Sequence, residues 1–189
     1  MRDGTVRGGD ASTDLVIRDA TVADAPTLAR HRALMFRDMG SVRDDATFDA
    51  LVAATAEYLA RAVPAGEYHG WCAEPGGAPG HVIAGAGVQV RPIVPRPGPG
   101  GGVHTAPQAL VLNVYTEPEW RRCGVAERLM RRVLAWSEAR GVSGVVLHAS
   151  ADGRPLYERL GFGPTNEMRF GGAPLGLTRA RRPGPNSDP

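Results

Sequence analysis

The run ALVLNVY (Ala109–Tyr115) is apolar on both faces, and a strand of that kind has to lie in mid-sheet with a layer packed on either side. After Pro118 the chain turns through RRCGVA into a stretch with helical spacing. That helix buries Val125, Leu129, Met130, Val133 and Leu134, exposes Glu127, Arg128, Arg131, Arg132 and Glu138, and stops at Gly141. GVVLHAS (Gly144–Ser150) then reads as a second buried strand. Strand, helix and strand in this order form a βαβ unit, and whatever else the chain does must be built around it.

The remaining segments are read from their own signals. LVIRDA (Leu15–Ala20) is a short strand. Thr21 to Asp24 has a capping-box spacing that opens a helix running to about Met39, where Gly40 stops it. A second helix follows from Thr47, with Phe48, Leu51, Val52, Thr55, Tyr58 and Leu59 on one face. EYHGWCAE (Glu67–Glu74) and HVIAGAGVQV (His81–Val90) flank the turn PGGAPG as a hairpin. Pro92–Pro107 is dense in proline and glycine and is expected to form a loop with neither ladder nor helix. ADGRPLYERLGF predicts a short helix and turn, and GFGPTNEMRF a last strand. The expected fold is therefore α/β, a mixed and mostly antiparallel sheet with helices on both faces. At 189 residues the chain suits one domain, 15–170, with a flexible leader over 1–14 and a disordered tail over 171–189.

Composition excludes several chemistries. All 22 basic residues are arginine, so GPGGGVH (Gly98–His104) cannot be a Walker A loop, and Schiff-base and protein-kinase mechanisms lack their lysine. The net charge of +2 comes from Arg179, Arg181 and Arg182 against Asp188, which leaves a neutral body and no basic face for nucleic acid. No apolar run is long enough to span a bilayer, and MRDGTVRGGDASTD has no signal-peptide core. Two cysteines make no disulfide framework, so a cytoplasmic protein is expected. The five histidines show no metal-ligand spacing, so no metal is expected.

The βα junction is where chemistry enters. Glycine at the mouth of a helix lets backbone N–H groups gather beside the positive end of the helix dipole, which makes an anion site. Gly124 permits close approach, Ala126 keeps the first turn thin, and Arg121 and Arg122 add charge. Taken alone, the junction fits a plain tight turn with solvated arginines equally well. Arg121-x-x-Gly124-x-Ala126, however, matches the Q/R-x-x-G-x-G/A pyrophosphate loop of the GNAT N-acyltransferase superfamily. Ser150–Phe162 resembles that family's N-x-x-A-x-x-x-Y-x-x-x-G-F segment, with Tyr157, Gly161 and Phe162 in register. The resemblance spans roughly residues 15–170 and is strongest over 110–162.

The resemblance implies acetyl-CoA as donor co-substrate and a primary amine as acceptor. It also implies that the fourth and fifth strands, a parallel pair, splay apart at a bulge to admit the pantetheine arm along Asn113, Val114 and Tyr115. The pyrophosphate would sit on Arg121, Arg122, Cys123, Gly124, Val125 and Ala126, with Cys123 as filler rather than a catalytic thiol. Tyr157 matches the general acid that protonates the leaving thiolate. Ser150 stands where the family has asparagine and Gly153 where it has alanine; Ser150 and Arg154 are candidates on the donor side. The fourth strand carries no carboxylate, so Glu117 just beyond it is the candidate base, with proton loss through water as the alternative. Asp38, Asp44 and Asp45 could hold a cationic amine. The expected acceptor is a small amine such as an antibiotic, amino acid or polyamine, with a peptide N-terminus or lysine also open, and a homodimer is allowed. The alternatives are a non-catalytic acyl-CoA-binding regulatory domain, or thioester hydrolysis or decarboxylation on the same scaffold.

Overall fold

A computed structural model describes residues 14–98, 100–142 and 144–168. One five-stranded sheet dominates, in the order β1-β2-β3-β6-β7. Strands β1 (Leu15–Asp19), β2 (Tyr68–Pro75), β3 (Ala84–Arg91) and β6 (Gln108–Thr116) pair antiparallel with their neighbours. Strand β7 (Gly144–Leu147) lies parallel to β6, Gln108 opposite Gly144 and Val111 opposite Leu147. The mixed, mostly antiparallel sheet with one parallel pair is thus the expected one.

Alternation along β2 sorts the two layers. Trp71 and Ala73 point to one core, which holds Val125, Leu129, Met130 and Val133 of helix α3 (Val125–Ala139). Tyr68 and Cys72 point to the other, against Leu28 of α1 (Ala25–Asp38) and Leu59 of α2 (Asp45–Ala62). Leu28, Leu59 and Leu129 are fully buried, each worth about 1.5–3 kcal/mol in transfer free energy. Ahead of α1, the Asp24 carboxylate accepts from the Thr21 N–H at 2.7 Å, as the capping-box spacing predicts, and also from the Thr21 hydroxyl at 3.0 Å. Helix α2 is capped by Asp44, which accepts from the Thr47 N–H at 2.7 Å.

Three expectations need correction. The proline- and glycine-rich segment does form a ladder: β4 (Arg96–Pro97) and β5 (Val103–His104) pair antiparallel, because the glycines between them can close the turn. The strand expected from GFGPTNEMRF is absent over the described residues 163–168, where Pro164 has no N–H to give a ladder; Arg169 and Phe170 lie outside the described residues. Strand β7 is consequently half-buried rather than buried, and it ends at Leu147 instead of Ser150. The expected leader (apart from Asp14) and the expected tail also fall outside the described residues. No helix among the described residues is long and apolar enough to cross a membrane.

Candidate active site

Two strands that start side by side come apart. The β6–β7 ladder ends at Val111 and Leu147, so residues 112–116 of β6 have no strand on that side among the described residues. On the other side of β6 the register with β3 slips between Gly85 and Gly87. Asn113 sits in that bulge at φ 58°, in the left-handed region that asparagine tolerates better than most residues. Arg122, at φ 63°, is the only other non-glycine residue with positive φ among the described residues. Backbone strain is therefore concentrated on one edge of the sheet and on the loop that follows it, a distribution that marks functional sites.

That loop opens helix α3. Gly124 caps it at φ 76°, and a Cβ added there would meet nothing within 4 Å, so the space before the helix is open. The first helical bond runs from the Arg128 N–H to the Gly124 carbonyl at 3.1 Å, which leaves the N–H groups of Val125, Ala126 and Glu127 outside the helical ladder. Those N–H groups and the dipole can hold an anion. The two arginines differ in use. Arg121 donates to Asp38 at 2.6 Å and to the Thr116 carbonyl at 3.0 Å, and its guanidinium lies 5.5 Å from the Tyr115 ring, so it fastens the loop to α1. Arg122 is exposed and forms no ion pair among the described residues. Cys123 packs on the α3-side core, its sulfur 3.5 Å from the Arg121 carbonyl, and Val114 packs on the same core.

Tyr157 lies on α4 (Arg154–Arg159) and lines a cavity of about 470 Å³ with Leu147, His148, Arg154 and Phe162. Its ring meets Phe162 edge-on at 6.0 Å, its hydroxyl has no hydrogen-bond partner among the described residues, and burial pushes its pKa up. Ser150 and Gly153 depart from the family pattern together. The Gly153 N–H donates to Ser150 Oγ at 3.1 Å, and a Cβ on Gly153 would stand 3.0 Å from the Tyr157 ring and 3.1 Å from that same Oγ. Ser150 is thus taken up with starting α4 against the Tyr157 ring.

Glu117 lines neither this cavity nor the next. Its Oε1 accepts from Arg30 at 3.1 Å and lies 3.1 Å from His31 Nε2. His31 is 1% exposed, and burial lowers its pKa, so the neutral ring donates through Nε2 to a carboxylate that can only accept.

A second cavity, about 510 Å³, opens on the α1/α2 face of the sheet, lined among others by Arg32, Tyr58, Tyr68, Gln89, Asn113 and His148. Arg32 donates to Asn113 Oδ1, and Asn113 Nδ2 donates to the Tyr68 hydroxyl at 3.0 Å. Gln89 donates to the Tyr58 hydroxyl at 2.5 Å. His148, just past the end of β7, borders both cavities. Arg32, Tyr58, Tyr68 and Gln89 are not marked by any motif. The one visible signal is a cation at position 32, four residues after Leu28, inside the otherwise apolar stripe of Leu28, Ala29 and Ala33.

Asp38, Asp44 and Asp45 are engaged elsewhere in this structure. Asp38 pairs with Arg121, Asp45 pairs with Arg37 at 2.8 Å, and Asp44 caps α2; none borders the cavity. Among the described residues no three His, Cys, Asp or Glu side chains converge as a metal site would require.

Residues 32–162 match the Acetyltransferase (GNAT) family model. The GCN5-related N-acetyltransferase from Ralstonia eutropha JMP134 is 35% identical, with a TM-score of 0.70 over 82% of this chain and 97% of that one. The predicted acetyltransferase with acetyl-CoA from Clostridium acetobutylicum, 24% identical, has a TM-score of 0.68 over 82% of this chain and 94% of that one, a likeness of fold. Aminoglycoside N(6')-acetyltransferase type 1 from Acinetobacter genomosp. 13 is 31% identical over 72 residues, 36% of this chain, and the match spans about half, 49%, of that protein's length. Parted parallel strands, a bulge at Asn113 and a glycine-capped helix mouth agree with these similarities, and the chain belongs to the acetyltransferase (GNAT) family.

Proposed function

We propose that the protein transfers an acetyl group directly from acetyl-CoA to the primary amine of a small molecule. The observation that carries this reading is continuity. The β6 edge freed beyond Val111 is joined to the open helix mouth at Gly124 by the short turn Pro118–Trp120, and Tyr157, whose hydroxyl has no partner among the described residues, lines a cavity that shares His148 with the α1/α2-face cavity. A pantetheine arm would extend β6 along Asn113, Val114 and Tyr115, satisfying backbone groups on the side away from β3 that no strand pairs among the described residues. The pyrophosphate would take the N–H groups of residues 124–126, and Arg122 and Arg154 border this side with exposed cations.

The amine nitrogen attacks the thioester carbonyl carbon, and the carbonyl oxygen takes up the negative charge beside backbone N–H groups of β6. The C–S bond then breaks, the sulfur leaves as thiolate, and Tyr157 donates its O–H to that sulfur. The proton released from nitrogen passes to water through the open acceptor cavity. Glu117 is a poor base, because its carboxylate already serves Arg30 and His31 and borders neither cavity. Holding two substrates across the parted strands supplies most of the rate.

The test is thioester turnover with a panel of amines, read together with acetyl-CoA binding to Gly124→Glu. A glutamate at φ 76° is strained, and it places a carboxylate where the phosphates would lie. Acetyl-CoA should raise the melting temperature of the parent and not that of the variant. Equal shifts would remove the loop from donor binding. Turnover of acetyl-CoA without any amine would replace transfer by hydrolysis.

A further inference from the structure

Arg32 is the cation whose surroundings are out of balance. Several other arginines meet acids: Arg18 meets Asp24 and Glu74, Arg37 meets Asp45, Arg121 meets Asp38, and Arg131 meets Glu127, while arginines without an ion pair among the described residues, such as Arg43, Arg122 and Arg159, are exposed to water. Arg32 is half-buried, and its partners among the described residues are neutral, the Asn113 side-chain oxygen and the Phe36 ring at 4.8 Å. Drawing a guanidinium out of water is costly unless something anionic meets it, and here burial pulls the pKa of Arg32 down. Its other N–H groups have no partner among the described residues, and it lines the acceptor cavity. That cavity holds a second arginine, Arg91, and no Asp or Glu at all. The acids of residues 38–45, the natural place to seek a cation site, are spent on Arg121, Arg37 and the α2 cap.

We infer that the acceptor carries an anionic group close to its amine and that Arg32 selects it. The inference rests on the proposed acetyl transfer and names the acceptor class for the same site. A guanidinium presents parallel N–H groups that suit a carboxylate or a phosphate in two-point contact. Through Asn113, Arg32 is tied to the bulge of β6 where the acyl group would arrive, so anion and amine are separated by a short span of atoms. An α-amino acid or a small phosphorylated amine meets that geometry. Leu51, Leu110, Leu112 and Tyr58 leave the rest of the cavity largely apolar and favour a hydrophobic body. Polyamines and aminoglycosides carry several positive charges and would meet two arginines with no carboxylate to receive them.

Matched pairs make the test: leucine against leucine methyl ester, phosphoethanolamine against ethanolamine, and spermidine as the polycation. At saturating acetyl-CoA, kcat/KM should favour the anionic member of at least one pair by about 10- to 100-fold, the range for hydrogen bonds to charged groups. The pair that shows the preference tells carboxylate from phosphate. Arg32→Gln should bring that ratio close to one, and Arg32→Lys should keep part of it. A merely structural Arg32 would lower both members alike and leave the ratio intact. The inference is overturned by a parent ratio near one, by spermidine as the best acceptor, or by an unchanged ratio in Arg32→Gln. Loss of acetyl-CoA affinity with an intact ratio would assign Arg32 to the donor and overturn it too. If no amine is acetylated, the transfer reading fails separately, and calorimetric titration of the same pairs into the CoA-saturated protein decides this one. Binding of the anionic member that depends on Arg32 upholds it, and no preference for that member sinks it.

Discussion

Replacing Tyr157 by phenylalanine separates chemistry from packing because the structure predicts very different sizes for the two effects. The hydroxyl has no partner among the described residues, so its removal orphans no other group, and the ring keeps its edge contact with Phe162 at 6.0 Å. Stability should therefore change by no more than about 0.5 kcal/mol, and acetyl-CoA affinity should hold. General-acid catalysis is worth about 10²–10⁴-fold, or roughly 3–5 kcal/mol of barrier. Burial raises Tyr157 above the ordinary phenol value, and an ordinary thiol titrates near 8.5, so the phenol is the weaker acid. Its proton is then shared with the departing sulfur in a strong hydrogen bond rather than surrendered, which places the expected loss of kcat at the low end, about 10²-fold. The loss should shrink with an acyl donor whose thiol is more acidic, and it should persist across acceptor amines. Because burial raises the Tyr157 hydroxyl above the ordinary phenol range, it stays protonated at neutral pH, and parent and variant should trace pH–rate profiles of the same shape there, offset vertically. The measurement is kcat under saturating substrates with chemistry rate-limiting, beside thermal melts and acetyl-CoA titration. Full turnover in the variant would remove Tyr157 from the mechanism, and a loss matched by weaker binding and a lower melting temperature would make it a packing residue.

The Asp24 carboxyl, bonded by Arg18, is held at about 2, below its ordinary 3.8, so its contribution is fully present above pH 3.8 and is lost as pH falls through 2. With Arg18 34% exposed, the gap between parent and Asp24→Asn should be about 1–2 kcal/mol at pH 6 by denaturant unfolding and should shrink steadily as pH falls from 3.8 toward 2; a pH-independent gap would refute the pairing. Gly87→Ala would put a Cβ 1.8 Å from the Tyr68 hydroxyl and 2.0 Å from the ring carbon that bears it. It should cost about 1–3 kcal/mol and cost less in a Tyr68→Leu background, a coupling that a double-mutant cycle of melts would detect.

The βαβ unit, the helix faces and the glycine at the mouth of α3 were legible because each follows from local spacing, in which chemistry and geometry repeat along a single element. Two segments misled for equally local reasons. Proline-rich composition hid the short β4–β5 ladder, because the glycine turn between them closes over a few residues, and the segment from Phe162 to Met168 was read as a strand although Pro164 denies it a donor. The acceptor cavity was illegible for a different cause. Arg32 and Asn113 lie 81 residues apart and meet because α1 packs against β6, while Gly87 leaves room for Tyr68 to reach the same asparagine. No periodicity in either element states that relation. The acids near residue 38 looked like an amine site because sequence shows a charge but not its partner. In the folded chain Arg121 meets Asp38 and Arg37 meets Asp45, and neither acid lines the cavity that holds Arg32. The sign of the charge lining the α1/α2-face cavity is thus set by which residues the fold brings to it, Arg32 and Arg91 with no acid, and that is a property of the folded chain alone.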